Sequence, residues 1–418
     1  MRKSLLAMAA LMGVATLPAH AWRVKVDEQT FANIGFSTQI WARYEGKRTN
    51  AATDHSATHF YMNLANINAS GQVNKLVYFF INAESNSARG SFIVRDSFIG
   101  LKFADEFRVQ AGYMRAPFSR VALTSSYAFI VPTLTTYAGA RLSINPANVL
   151  GLESDSSRDA GLVVWGTVGK DAPIKYYLGV FDGRFDRRSG FFTVSNTNRT
   201  KDQLGYTFRV QFTPTMLGFK GEPAYGLSDT YLGGRNVLSL GLGYRVVGVQ
   251  STGFSYNYTK DAKMFTVDML YEQKFGDLVP NLQVGYIQAK DVVYDFNPST
   301  PSATCAPDQV CYGDANQIYV QGQLLYDQVV GFGKPALAIR WEQNKNKDRK
   351  AFDIDTGATT AISGEPRNSR IGVFVHYYIK GQAARVSFGI DSVNFNRDAK
   401  GTNGKNYTDV TLHLQTQF

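Results

Sequence analysis

The sequence predicts an all-β fold, a transmembrane antiparallel β-barrel of about sixteen strands with one long loop folded inward. Three observations predict it. The chain closes on the stretch 407–418, in which Val410, Leu412, Leu414 and Phe418 share one face while Asp409, Thr411, His413, Gln415 and Gln417 share the other. The polar face does not suit a packed core, and the apolar face suits lipid. Alternation of this kind recurs along the whole chain, and no segment after the N-terminal leader has the run of roughly 18 apolar residues that a membrane helix needs. Aromatic residues reach 13% and Gly numbers 38, as expected where lipid-facing and lumen-facing positions alternate. A single such strand could edge a soluble sandwich, but its repetition favours a closed barrel, which leaves no backbone group unpaired in lipid.

Residues 1–21 read as a secretory signal peptide. Arg2 and Lys3 precede an apolar run from Leu5 to Leu17, and Ala19-His20-Ala21 fits the cleavage pattern, so Trp22 starts the mature chain. Residues 22–418 then form a single barrel domain. Its alternating segments fall near 30–44, 58–69, 73–83, 91–103, 107–114, 158–169, 173–182, 202–213, 236–249, 262–274, 280–289, 316–329, 334–344, 368–380, 384–396 and 406–418.

Connectors sort into two kinds that alternate. Tight turns such as Ser70-Gly71-Gln72, Ala104-Asp105-Glu106, Gly331-Phe332-Gly333 and Gly381-Gln382-Ala383 belong to the periplasmic side, and the long polar stretches 45–57, 183–201, 290–315 and 345–367 belong outside. The connector 214–235 is long although strand count places it on the periplasmic side. The longest connector, 116–157, carries Phe118, Tyr127, Phe129, Ile130, Val131, Leu134 and Tyr137, too apolar a set for a free solvated loop. It is expected to fold into the barrel as a constriction loop.

Alternation turns Arg43, Arg95, Arg108, Arg209, Arg245, Arg340, Arg370 and Arg385 inward, against fewer acids: Asp268, Glu272, Glu342, Asp391 and Asp409. A low-dielectric wall focuses such a surplus, so the lumen is expected to favour anions. Each arginine also has a structural reading, in which Arg340 beside Glu342 and Arg385 across from Asp391 neutralise one another. Arg115, Arg120 and Arg141 are the basic residues of the long loop. The formal charge of +10, two fewer once Arg2 and Lys3 leave, also favours anionic partners. Arg184, Arg187, Arg188, Arg199 and Lys201 make one outer loop basic, suited to lipopolysaccharide phosphates or to gathering anions at the mouth.

Cys305 and Cys311 lie close together and are expected to form a disulfide in an oxidising compartment. No metal is expected. His55 and His59 with Asp54 sit on a flexible outer loop, and the remaining mature-chain histidines, His376 and His413, are scattered. No nucleophile motif accompanies them, which argues against an enzyme, and no cofactor or nucleic acid is expected.

Arg95-Asp96-Ser97-Phe98-Ile99-Gly100-Leu101, then Gly112-Tyr113-Met114-Arg115-Ala116-Pro117-Phe118 with Thr124-Ser125-Ser126, resemble elements that open the constriction loop of the phosphate-selective porin O and P family. Ser157-Arg158-Asp159-Ala160-Gly161, Asp229-Thr230-Tyr231-Leu232-Gly233 and the closing Leu414-Gln415-Thr416-Gln417-Phe418 extend the resemblance over the mature chain. It implies a homotrimer of sixteen-stranded barrels in the bacterial outer membrane, each passing anions or other small solutes passively. Arg115 matches the basic position of the family motif, while Tyr113 replaces a polar amide and the loop lacks a dense lysine cluster. Guanidinium suits phosphate because its planar donors engage two oxygens together. The expected function is therefore a passive, anion-favouring pore. A broad-specificity diffusion porin and a plugged structural or adhesive barrel are the alternatives.

Overall fold

The computed structural model describes residues 22–47, 55–85, 92–133, 158–182, 204–251, 255–256, 258–296, 309–400 and 405–418. The signal-peptide expectation, the basic outer loop and Arg141 lie outside these residues.

The strands in chain order are β1 Trp22–Lys25, β2 Phe31–Glu45, β3 Ala57–Gln72, β4 Val77–Ser85, β5 Ile93–Lys102, β6 Arg108–Arg115, β7 Arg158–Val168, β8 Ile174–Phe181 and β9 Gly205–Phe212. They continue as β10 Val237–Ser251, β11 Tyr258–Glu272, β12 Leu278–Phe296, β13 Gln309–Tyr326, β14 Lys334–Asp353, β15 Thr359–Ala361, β16 Arg367–Tyr378, β17 Ala384–Phe395 and β18 Tyr407–Gln417. Setting aside the short β1 and β15, sixteen strands close a ring, each antiparallel to its neighbours, with β18 returning to pair with β2. The sixteen alternating segments of the sequence each overlap one of these strands. Two departures have local causes. Strand β3 continues through Ser70-Gly71-Gln72, because Gly71 has no Cβ to meet the Phe31 carbonyl, and the turn falls at 73–76. Strands β12, β13 and β14 reach 19, 18 and 20 residues, well past the roughly 10 that cross a bilayer, so much of 290–315 and 345–367 is ladder and not loop.

Register explains the two faces. On β11, Ala262, Met264, Thr266, Asp268 and Leu270 point inward and are buried, while Lys263 and Val267 between them are exposed. Exposed Leu240, Leu242, Val267, Leu282, Leu324, Leu337, Ile339, Ile371, Val373 and Phe388 form the apolar outer band. The interior is filled by two connectors. Residues 116–133 leave β6, make the short helix α1 Arg120–Leu123, and pack Phe118, Val121 and Phe129 on Val247, Met264, Ile287 and Tyr319 of the wall. Gly243 makes that seat: a Cβ there would lie 2.1 Å from the Phe118 carbonyl oxygen. The connector 213–236, periplasmic by strand count, rises to meet this segment, with Leu227 N–H donating to the Leu123 carbonyl at 3.1 Å.

Candidate functional site

The inward side chains are polar, and most of the inward arginines are matched. Arg43 on β2 holds Asp409 on β18 at 2.5 Å, and Arg158 on β7 grips Asp96 on β5 with two bonds of 2.9 and 3.0 Å. Arg95 lies 3.4 Å from Glu84, and Arg209 forks onto Asp268 with both bonds at 2.7 Å. Such planar two-point pairs fix strand register as well as charge. Arg108 stands at the periplasmic end, paired with Asp105 and 4.5 Å from the Trp165 ring centroid.

Two expected pairs are replaced by others. Glu342 is within electrostatic reach of Arg340 but makes no ion-pair contact with it; instead Asp391 receives Arg340 at 2.6 Å and Arg370 at 2.7 and 3.0 Å. Thr133 of the long connector donates its hydroxyl to Asp391 at 2.9 Å and accepts Arg340 at 3.0 Å and through its carbonyl, which holds Arg340 beside Asp391. Both Glu342 oxygens are buried without a hydrogen-bond partner among the described residues. Arg385 does not reach Asp391 either. It donates to the Phe129 carbonyl at 2.6 Å and to Gln415 at 3.3 Å, because the connector lies across it.

The connector is thus tied to the wall largely through its own backbone. Gln415 donates to the Tyr127 carbonyl at 2.9 Å, Gln39 to the Ser126 carbonyl at 3.2 Å and Arg209 to the Phe118 carbonyl at 3.2 Å. The long loop, so far as residues 116–133 describe it, lies inside the barrel. Arg115 donates to the Thr124 carbonyl. Arg120 is fully buried and is engaged by Glu222 of the periplasmic connector, at 3.2 Å through one nitrogen and by a second bond, and by the Ser228 carbonyl at 2.9 Å. It is therefore a strut between the two connectors. Burial works to raise the Glu222 carboxyl, but the Arg120 charge and hydrogen bonds, with Lys175, hold it below the usual carboxylate range.

Asp229 is a second junction. Its carboxylate accepts the Ile130 N–H at 3.3 Å and the Gln321 amide at 3.0 Å, while its carbonyl accepts Asn281 and Gln283 at 2.7 and 2.8 Å. No cation makes ion-pair contact with it among the described residues, and burial, outweighing the more distant Arg120 charge, pushes its carboxyl up to about 6. Cys311 is buried beside Ala315 and Ala351; Cys305 lies outside the described residues.

After this matching, Arg115, Arg245, Arg385 and Lys175 are inward cations without a carboxylate in ion-pair contact among the described residues. Arg245, inward on β10 two residues beyond Gly243, also makes no hydrogen bond there, and Asp159 is the acid within its electrostatic reach. Lys175 was legible from alternation on β8, where Ile174 and Leu178 face out. Glu222 and Asp229 carried no such signal, since connectors have no period.

A closed barrel with apolar exterior, polar lumen and an inward-folded connector is the architecture of an outer-membrane channel. The family model for phosphate-selective porin O and P matches residues 34–268, and the chain belongs to that family. It is thus a non-enzymatic channel of the bacterial outer membrane. No curated protein sequence matches it. Among solved structures it is similar in fold to the anion-selective porin from Comamonas acidovorans, with TM-score 0.57, 12% identity, and coverage of 93% of this chain and 99% of that one. The outer membrane channel DcaP of Acinetobacter baumannii gives TM-score 0.52 at 10% identity over 94% and 99% of the two chains. Salmonella typhi OmpF, in complex with daunomycin, gives 0.51 at 16% identity over 95% and 100%.

Proposed function

We infer that the channel passes small solutes with a preference for anions, phosphate-like ions among them. The observation that carries this reading is the guanidinium of Arg245, facing inward near the long connector with no ion pair or hydrogen bond among the described residues. Arg115 and Arg385 lie under the connector and add positive potential there. A guanidinium held as loosely as that of Arg245 can exchange an anion's water shell without trapping it, which conduction requires. Arg95, Arg108, Arg209, Arg340 and Arg370 serve chiefly to hold the wall, and Arg120 holds the connectors together. The constriction role of 116–157, the homotrimer implied by the family and a Cys305–Cys311 disulfide belong to the same reading, as does contact with outer-membrane lipid and lipopolysaccharide.

The extensive pairing favours a second reading, a charge-balanced general diffusion porin. Reversal potential in a planar bilayer under a KCl gradient, followed by phosphate titration, separates the two. A chloride-directed potential with saturable phosphate block supports the anion reading; a potential near zero supports the general porin. Absence of conductance favours a plugged barrel.

A further inference from the structure

Two histidines of the inner wall take no part in the pairing described above. His376 of β16, Ser387 of β17, His413 of β18 and Trp41 of β2 stand directly opposite one another in a single inward row. Both imidazoles are fully buried. His376 Nδ1 shares a 2.8 Å hydrogen bond with Ser387, while its Nε2 and both nitrogens of His413 have no hydrogen-bond partner among the described residues. The long connector lies across this row. Gln415 and Arg385, one inward position along their strands, hold its Tyr127 and Phe129 carbonyls; Ile130 and Val131 pack on Ala338 and Phe374, and the Ile130 backbone reaches the His376 ring.

The surroundings hold no spare negative charge for these rings. Arg385 is within electrostatic reach of both, and His413 also feels His376. Asp391 on β17 is taken by Arg340 and Arg370, and Asp409 on β18 by Arg43 of β2. Tyr378 of β16 donates to Gln323, Tyr127 of the connector donates to Asn66, and Tyr61 of β3 packs on Trp41 near Arg43. On β14 the residue opposite His376 is Ala336, and Glu342 lies about 20 Å further along that strand at roughly 3.3 Å per residue.

We propose that His376 and His413 form an acid-sensitive hold on the connector: their protonation places imidazolium charge beside Arg385 beneath residues 127–131, and the connector lifts off the wall into the channel. Imidazole is the side chain whose charge ordinarily changes in mild acid. A buried positive charge with a like charge beside it and no counter-ion is costly, so the site must open to water. The wall cannot yield, because each of its strands is tied into the ring by ladders on both sides. The connector can, since at this level it is held by bonds to its carbonyls and by the packing of Ile130 and Val131. Movement toward the axis narrows the path, so conductance falls as pH drops. The proposal rests on the channel conducting and not on a preference for anions.

The test is single-channel conductance in a planar bilayer at 1 M KCl, where charge is screened within about 3 Å and the current reports path width. Between pH 7.5 and 4.0 the wild type should lose conductance reversibly, by about two-fold or more, while H376Q/H413Q should keep its pH 7.5 value. D229N and E342Q, each removing a buried carboxylate that has no cation in ion-pair contact among the described residues, should respond as the wild type does. If H376Q/H413Q does not insert, the single variants decide: H376Q and H413Q should each lose less conductance than the wild type. An equal fall in the wild type and the histidine variants overturns the proposal, as does a fall abolished by D229N or E342Q instead. Open wild-type channels with no response to pH remove this inference alone, whereas channels silent at both pH values remove the conduction reading and this inference with it.

Discussion

Arg120 and Glu222 join, through a fully buried two-point ion pair, two segments that enter the barrel from opposite ends. One follows β6 and the other follows β9, so the pair fixes a tertiary contact that no ladder supplies. Breaking a buried pair by removing one partner strands a charge, at a cost of about 3–5 kcal/mol. R120A and E222A should each lower the thermal unfolding temperature in detergent, and the double variant should lose less than the sum. Because the folded Glu222 carboxyl lies below its unfolded value, this contribution is complete above the ordinary glutamate range and disappears as pH falls through the folded value.

Asp229 should behave in the opposite sense. Its carboxyl lies near 6 in the fold against 3.8 for the free group, so between those values the folded protein holds a proton the unfolded chain has lost. Stability therefore falls as pH rises through that window, by about 3 kcal/mol at most, taking 1.36 kcal/mol per unit. D229N should flatten that slope in melts recorded from pH 4 to 7; an unchanged slope would assign it to another group.

Arg245 and Arg209 sit two strand positions apart in role as well as in register. R209A leaves Asp268 buried without its ion-pair partner, keeping the Arg120 backbone N–H at 3.0 Å, and should yield little folded barrel on heat-modifiability gels. R245A breaks no ion pair among the described residues, and should fold normally while moving the reversal potential toward zero and weakening phosphate block several-fold. Loss of folding in R245A with selectivity intact in the remainder would make it structural.

The extent to which the sequence reveals this arrangement follows from the range of each interaction. Alternation is local, so every barrel strand and the inward set from Arg43 to Arg385 could be read residue by residue. The outer halves of β12 to β14 looked like loop because Asn344, Asn346, Lys347 and Asp348 are polar, yet their alternation continues past a bulge near Asp314. Which carboxylate each arginine takes depends on cross-strand register and on Thr133 arriving from a distant connector, and neither is written in the period of a single strand. The upward course of 213–236 depends on Glu222 and Asp229 finding partners more than 90 residues away, as in the Asp229–Ile130 and Arg120–Glu222 contacts.

Cys311 offers a covalent test. A bridge to Cys305 closes a ring of seven residues, for which loop entropy gives a stabilisation of about 2 kcal/mol. Alkylation of the denatured protein should label neither cysteine before reduction and both after it. C305S/C311S should leave conductance unchanged, since Cys311 lies near the far end of the tall β12–β14 wall, while lowering the melting temperature by a few degrees. Labelling without reductant would show the thiols free.

Gly243 gives the most direct check on the inward connector. The position is an inward one on β10 where any Cβ would fall 2.1 Å from the Phe118 carbonyl oxygen and 2.9 Å from Thr266. Backbone cannot yield as a flexible side-chain end can, so G243A must push the start of the connector off the wall and strain the Arg209 bond to the same carbonyl. The barrel ladder itself is untouched, because β-sheet geometry accepts alanine. The expected outcome is a folded, heat-modifiable barrel whose single-channel conductance differs from wild type, with a broader spread of levels. Wild-type conductance in a folded G243A barrel would mean that residues near Phe118 do not set the width of the path.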